Sequence, residues 1–511
     1  MGSEPELTRE EAVADVRAFV DAVESTHPAP FVRAGGRFAY YRKVQSVVDD
    51  LAREDPSERR LRDAVAGLAA AVRDAHTFVV YPKADGTLPV RLDAIDGEIR
   101  VRGVRDEDQR DLVGSRLRSV DGIAVGELLD RQGRLRGSET PHGVPVNLAL
   151  SLENWRAMAA LLQVETPSDR ATFEFESPEG TTIQETIGPT AGDTQEWVAP
   201  STLDRPASEG WPTYRLLPER DAAWLRVPSM NGYREAFESI DHHGGLDERT
   251  RRAVQSLCRA YTGEPAPDEV EDALERLPAA LEVFRGLAEE MASAETGTLV
   301  VDLRDNTGGN RVLVDLLTYV LYGWDGVATA QGRPGALRYS DRFVENRGDD
   351  AFEHANEDSE WALRPGEYAI GGEATTVDEA RSDLVESVPS FERREAPDWP
   401  SAARYTPPQV VVVTAGTTFS AGFSLLAALR RLGAAVVGTA PIQSPTYFGD
   451  VVTVTLPNSE ITAMTATSRI ETLPDGPDDV LEPDRRLTND DLGRYDFDRD
   501  ASVLLALEEY C

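Results

Sequence analysis

Cysteine is nearly absent. Cys258 and Cys511 are the whole supply in 511 residues, which excludes a disulfide framework and a cysteine-rich zinc site. Lysine is as scarce: only Lys43 and Lys83 occur among 53 basic residues. No run approaches the roughly 18 consecutive apolar residues that a membrane span needs. The start, MGSEPELTREE, is acidic and has no apolar signal region, so a cytoplasmic protein is expected. The phosphate-cradling patterns GxxxxGK and GxGxxG are missing, and no cluster of metal-ligand residues stands out. Neither a metal nor an organic cofactor is therefore expected.

Acid is what the chain has in excess. It holds 90 Asp and Glu and carries a formal charge of −37. Such a surface repels nucleic acid and anionic lipid, so neither is expected as a partner. Acidic, arginine-rich and lysine-poor composition fits adaptation to high salt, where counter-ions screen the self-repulsion. Composition gives no reading of oligomeric state. At 41% hydrophobic and 28% charged, the chain has enough apolar residues for several folded cores.

Three regions follow from the periodicity. Residues 1–85 read as a helical N-terminal domain. Thr8-Arg9-Glu10-Glu11 forms a capping box, helices are expected up to Leu51 and from the cap Ser57 to about Asp74, and the period turns strand-like after His76. Residues 86–220 alternate in strand fashion and contain the turn pair Asp121-Gly122, with Leu148–Leu162 as their clearest helix. Residues 221–511 alternate strands with helices, which predicts an α/β domain. Its buried strands are TLVVD at Thr298–Asp302 and QVVVVT at Gln409–Thr414. An insert at about 323–405 shows little period, and Glu345–Glu360 within it has seven acids and one arginine. That stretch reads as a solvated loop or a lid over a site.

Two strand–loop–helix junctions carry candidate chemistry. In DLRDNTGGN, Gly308 and Gly309 let the backbone approach a ligand at a helix start, which suits an oxyanion. In TTFSAG, Ser420 opens a helix, either as a nucleophile or simply as the helix cap. A serine nucleophile needs a base. Of the six histidines, His76 alone sits at an ordered helix-to-strand junction, in DAHT.

Together, DLRDNTGGN, TTFSAG, Val436-Val437-Gly438, DAHT, LPNS at Leu456–Ser459 and LEPD at Leu481–Asp484 resemble the serine peptidases of the tail-specific (carboxy-terminal processing) protease and tricorn group. Gly114–Gly122 is similar to the PDZ-like segment which that group places before its catalytic domain. The resemblance implies an α/β catalytic domain of the spiral ClpP/crotonase type, preceded by the helical domain and a β-rich PDZ-like domain. It implies a peptide or unfolded protein as substrate. Ser420 would be the nucleophile, and the N–H groups of Ala421 and of Gly308 or Gly309 the oxyanion hole. The tail-specific branch uses a lysine about two dozen residues after the serine. No lysine is there, and Arg does not release its proton. The tricorn branch uses a histidine ahead of the catalytic domain, which matches His76. The relay serine before it is Ala75 here. Asp478, Asp479, Glu482 and Asp74 are the candidate acids to orient the imidazole. Two alternatives remain: an inactive peptide-binding scaffold, and crotonase-type acyl-CoA chemistry, which the lack of a basic patch disfavours.

Overall fold

The strands TLVVD and QVVVVT are apolar without alternation because both of their faces are covered. In the computed structural model they lie side by side and parallel, Thr298 opposite Gln409 and Asp302 opposite Val413. The model describes all residues except 1–6, 54–55, 83–85, 165–168, 191–196, 209, 348–362, 372–374, 392–404, 475 and 477–478. The central sheet runs in the order Arg485–Arg486, Ala435–Gly438, Gln409–Thr414, Thr298–Asp302, Ala222–Arg226 and Thr213–Leu217. All neighbours pair parallel except the last hairpin. Leu299, Val301, Val410 and Val412 face a core shared with the helices Ala280–Ala294, Val312–Gln331 and Ala421–Arg431. Val300, Val411 and Val413 face the opposite core, against the C-terminal helix Ala501–Tyr510.

A second sheet gathers distant parts of the chain. Phe78–Val79, just after DAHT, pairs antiparallel with Thr462–Glu471. That strand also pairs with Thr446–Thr455 and with Gly335–Arg338. The helices Arg9–Thr26, Arg37–Leu51 and Glu58–Val72 pack their apolar stripes on it, burying Val16, Phe19, Leu61 and Val65 with Val454, Leu456 and Ala463. The expected caps form: Thr8 and Glu11 close a capping box, and Ser57 caps the third helix. The LPNS motif latches this junction, because the N–H groups of Asn458 and Ser459 donate to the buried Asp15 carboxylate at 3.0 and 2.8 Å. The N-terminal helices thus rest directly on a sheet built from the C-terminal half.

The third sheet, in the order Val90–Ile95, Glu98–Val104, Arg116–Val120, Ala171–Glu176 and Thr182–Ile187, has its own core around Val101, Phe173 and Trp155. Three local expectations change. Leu148–Leu162 is two helices, Gly143–Glu153 and Trp155–Leu162, because Asn154 leaves helical geometry and its side chain caps the second. Thr213–Leu217 belongs to the central sheet, since a short turn ending at Asp221 folds it back on Ala222–Arg226. The weakly periodic insert contains strands Gly335–Arg338 and Tyr368–Gly371 and helices Asp341–Arg347 and Val377–Ser387. Most of Glu345–Glu360, read as a loop or lid, lies outside the described residues.

Candidate active site

Both glycine-serine junctions sit at the C-terminal ends of adjacent parallel strands, where ligand sites form in open α/β sheets. Hydrogen bonds hold the two loops together. The Thr418 and Thr417 hydroxyls donate to the carbonyls of Leu303 and Arg304 at 2.9 and 2.8 Å, and Phe419 N–H donates to Asn306 O at 3.0 Å.

Ser420 stands at the N-cap position of the helix Ala421–Arg431 without capping it. Its side chain makes no capping bond, and its backbone is at φ 55°, ψ −123°. A positive φ on a residue with a side chain costs of order 1–3 kcal/mol and persists only where the surroundings enforce it. Here the Ser420 N–H is held by Gln443 Oε1 at 2.7 Å, and Gln443 is fully buried. The hydroxyl is left uncommitted at the mouth of the turn.

Gly308 lies against this turn. A Cβ there would sit 2.6 Å from Ser420 Cβ and 3.1 Å from the Ala421 nitrogen, at a φ of +101°. Only glycine leaves room beside the serine. The Gly308 N–H donates to Asn306 Oδ1 at 3.0 Å. Among the described residues the N–H groups of Gly309 and Ala421 have no acceptor. The pair without partners is therefore Ala421 and Gly309, with Gly308 supplying space.

His76 reaches the same place from the other end of the chain. Its ring stacks on Phe419, the residue before Ser420, at 4.3 Å between centroids and 22° between planes. Tyr447 stacks near it at 5.8 Å. The imidazole is buried, and neither ring nitrogen has a hydrogen-bond partner, Ser420 included. Burial lowers its pKa; Asp74, Asp450 and the Phe448 main chain act in the opposite direction.

Two carboxylates border the ring. Asp74 accepts from the main-chain N–H of His76 at 2.8 Å and from the Thr77 hydroxyl at 2.6 Å. It also lies 3.3 Å from His27 Nε2. Ala29 N–H donates to His27 Nδ1, so the neutral His27 ring carries its proton on Nε2, facing Asp74. Burial would raise the Asp74 pKa, but His27, His76 and Thr77 overcome it and hold it at about 2.

The second is Glu139, which carries no motif and escaped the sequence reading. Its segment lies against DAHT: a Cβ on Gly137 would come within 2.8 Å of the Asp74 carbonyl. Glu139 Oε2 accepts from the N–H and hydroxyl of Ser444 at 2.9 and 3.2 Å, while Oε1 has no hydrogen bond. Burial, then repulsion by Asp74, pushes its pKa up to about 8, against Arg33 and Ser444. One donor atom each from Asp74, His76 and Glu139 lies within 4.8 Å of the others, a set that also offers three ligands to a divalent ion.

The late acids are placed elsewhere. Glu482 meets His142 at 3.3 Å and Arg486. Asp479 is exposed, with Oδ1 on the N–H of Val480. Asp478 lies outside the described residues. Asp484 of LEPD takes Arg430 through both oxygens and caps the Val436 N–H, which is a structural role.

The Ser420 turn, two amides without acceptors and the buried His76 thus meet in one place, and comparison with known proteins gives the class of the chain. Residues 276–475 match the model of peptidase family S41. The chain is a serine-type peptidase, and the matched region spans the Gly308 and Ser420 loops. Among solved structures it is similar to mature CPAF, at 15% identity and a TM-score of 0.61, over 98% of this chain and 96% of that one. Mature CPAF complexed with lactacystin is similar at 16% identity and a TM-score of 0.59, over 98% and 99%. At such identity what is shared is the fold. No curated protein matches the chain. No helix among the described residues is long and apolar enough to cross a membrane.

Proposed function

We propose that the chain cleaves peptides or unfolded proteins through an acyl-enzyme on Ser420, with His76 as general base. The observation that carries this reading is the stacking of the buried His76 ring on Phe419, next to a serine whose strained turn leaves its hydroxyl uncapped. Ser420 Oγ attacks the carbonyl carbon while an imidazole nitrogen takes its proton. The N–H groups of Ala421 and Gly309 receive the oxyanion. The imidazolium returns its proton to the leaving amine, and water then releases the acyl group by the same path. Asp74 is the carboxylate best placed to stabilise the charged ring, with Glu139 bordering the ring as a buried acid, which compensates for the alanine at position 75.

On this reading the chain is tricorn-like, and its sheets form a ClpP/crotonase-like spiral joined to a PDZ-like unit. The composition supports a cytoplasmic home in a halophilic archaeon. The inactive-scaffold alternative draws on one observation: His76 and Ser420 are not hydrogen-bonded. Incubation of an unstructured protein in molar KCl with the wild type and with Ser420→Ala separates the two. Cleavage by the wild type alone supports the peptidase. Binding without cleavage by either protein supports the scaffold.

A further inference from the structure

In a chain of charge −37, a concentration of guanidinium groups is out of place. One cavity has it. A space of about 510 Å³ lies where the third sheet, the segment 197–208 and the catalytic loops meet. Arg91, Arg102, Arg205, Arg226, Arg304 and Arg499 line it, and among the described residues the acids on its wall are Asp93 and Asp305. Part of its lining is Thr414–Thr417, the backbone that runs on into Ser420.

The acids do not neutralise this wall. Asp305 alone receives Arg91 at 3.0 Å, Arg205 at 2.6 Å and Arg226 at 3.0 Å. One carboxylate cannot balance three guanidinium groups. Arg304 is matched by Asp302 and Asp500 behind the wall, and Arg102 reaches Asp93 only at 3.7 Å. Among the described residues, four buried N–H groups on lining residues have no hydrogen-bond partner: Arg102 Nη1 and the Nε atoms of Arg205, Arg226 and Arg499, with the Asp500 carboxylate 3.9 Å from Arg205 Nε and 3.6 Å from Arg499 Nε. Unpaired donors inside a protein are costly, and surplus positive charge between low-dielectric walls concentrates the field on the cavity.

We infer that this cavity is a binding site for a small multivalent oxyanion, held by the guanidinium groups of Arg91, Arg102 and Arg205. Guanidinium forks match the paired oxygens of phosphate and carboxylate groups. A bound anion would also join two sheets, because Arg91 and Arg102 come from the third sheet, while Arg226 and Arg304 belong to the central sheet and its loop. Occupancy would stabilise their docking and stiffen the loop ahead of Ser420. The inference is independent of the peptidase reading.

The test is calorimetric titration of inorganic phosphate, citrate and chloride into the full chain at constant ionic strength set with KCl. Saturable one-site binding of phosphate or citrate is expected, with a rise in Tm as the site fills; whichever binds more tightly identifies the source of the oxygens. Arg91→Gln should weaken it roughly tenfold, the loss of one charge-assisted hydrogen bond. Asp305 keeps two other guanidinium partners in that variant. Should Arg91→Gln fail to fold, Ala207→Trp, at an exposed position on the lining, must weaken binding instead. No saturable heat, an equal response to chloride, or affinity unchanged in the folded variant overturns the inference.

Discussion

The two halves of the proposed catalytic centre are built in opposite ways. The nucleophile side is local: two neighbouring parallel strands end in two loops, and short hydrogen bonds lock those loops together. The base side is assembled from afar. DAHT sits at the end of the third helix, its strand adds to a hairpin from residues 446–471, and Glu139 arrives from a segment of the third sheet's region. Strain marks the first half, in the positive φ of Ser420. Buried atoms without hydrogen bonds mark the second, in the ring nitrogens of His76 and in Glu139 Oε1. In the proposed mechanism, rigid local geometry presents the attacking group, whereas long-range docking sets the surroundings of its base.

The largest effect should come from the nucleophile side. Ser420→Ala is expected to remove about five to six orders of magnitude of kcat, as loss of an acylating serine does, with an unchanged circular dichroism spectrum. Ser420→Gly should be equally inactive yet more stable by about 1 kcal/mol, since glycine adopts a positive φ without strain. A glycine variant that melts lower than the wild type would show that the turn is not strained.

Next comes the base. His76→Gln should slow acylation by several orders of magnitude while leaving the Ser420 turn intact. In the wild type, kcat/KM should fall as pH drops through the His76 pKa. Burial puts that point below the ordinary value of about 6.5. A pH profile flat across that range would remove histidine from the mechanism.

Glu139→Gln should cost about 10–100-fold in kcat, the price of a displaced base, and it should change stability with a definite sign. The folded Glu139 pKa of about 8 exceeds the unfolded value near 4.3, so the fold prefers the protonated acid. Its contribution is full below about pH 4.3 and is lost as pH rises toward 8. In Glu139→Gln that decline should vanish from denaturant titrations; an unchanged decline would place the buried charge elsewhere.

The smallest effect is global. Tm should rise by some degrees between low and molar KCl, as salt screens repulsion within a chain of −37. A flat or falling Tm would contradict salt adaptation.

What the sequence revealed follows the same division. Unbroken apolar strands and the glycine and serine after them are local signals, and they placed the Gly308 and Ser420 junctions. DAHT was legible as a junction. Glu139 and Gln443 were not, because nothing beside them in the chain differs from an ordinary loop; their roles come from the docking of segments 136–139 and 439–445 against the helices and the turn. Position near the chain end put Asp478, Asp479 and Glu482 beside Asp74 as candidate acids, yet in the folded chain the Glu482 carboxylate turns to His142 and Arg486. Charge-pair choice among many acids is set by tertiary packing, which periodicity does not record.

The joining of these two halves into one acylating centre is tested most directly by the rate of fluorophosphonate labelling in molar KCl, with the modified residue mapped by mass spectrometry. The account predicts a single adduct on Ser420 in the wild type and labelling slower by orders of magnitude in His76→Gln. An adduct on Ser424 or any other residue, or an equal labelling rate in the two proteins, would contradict it.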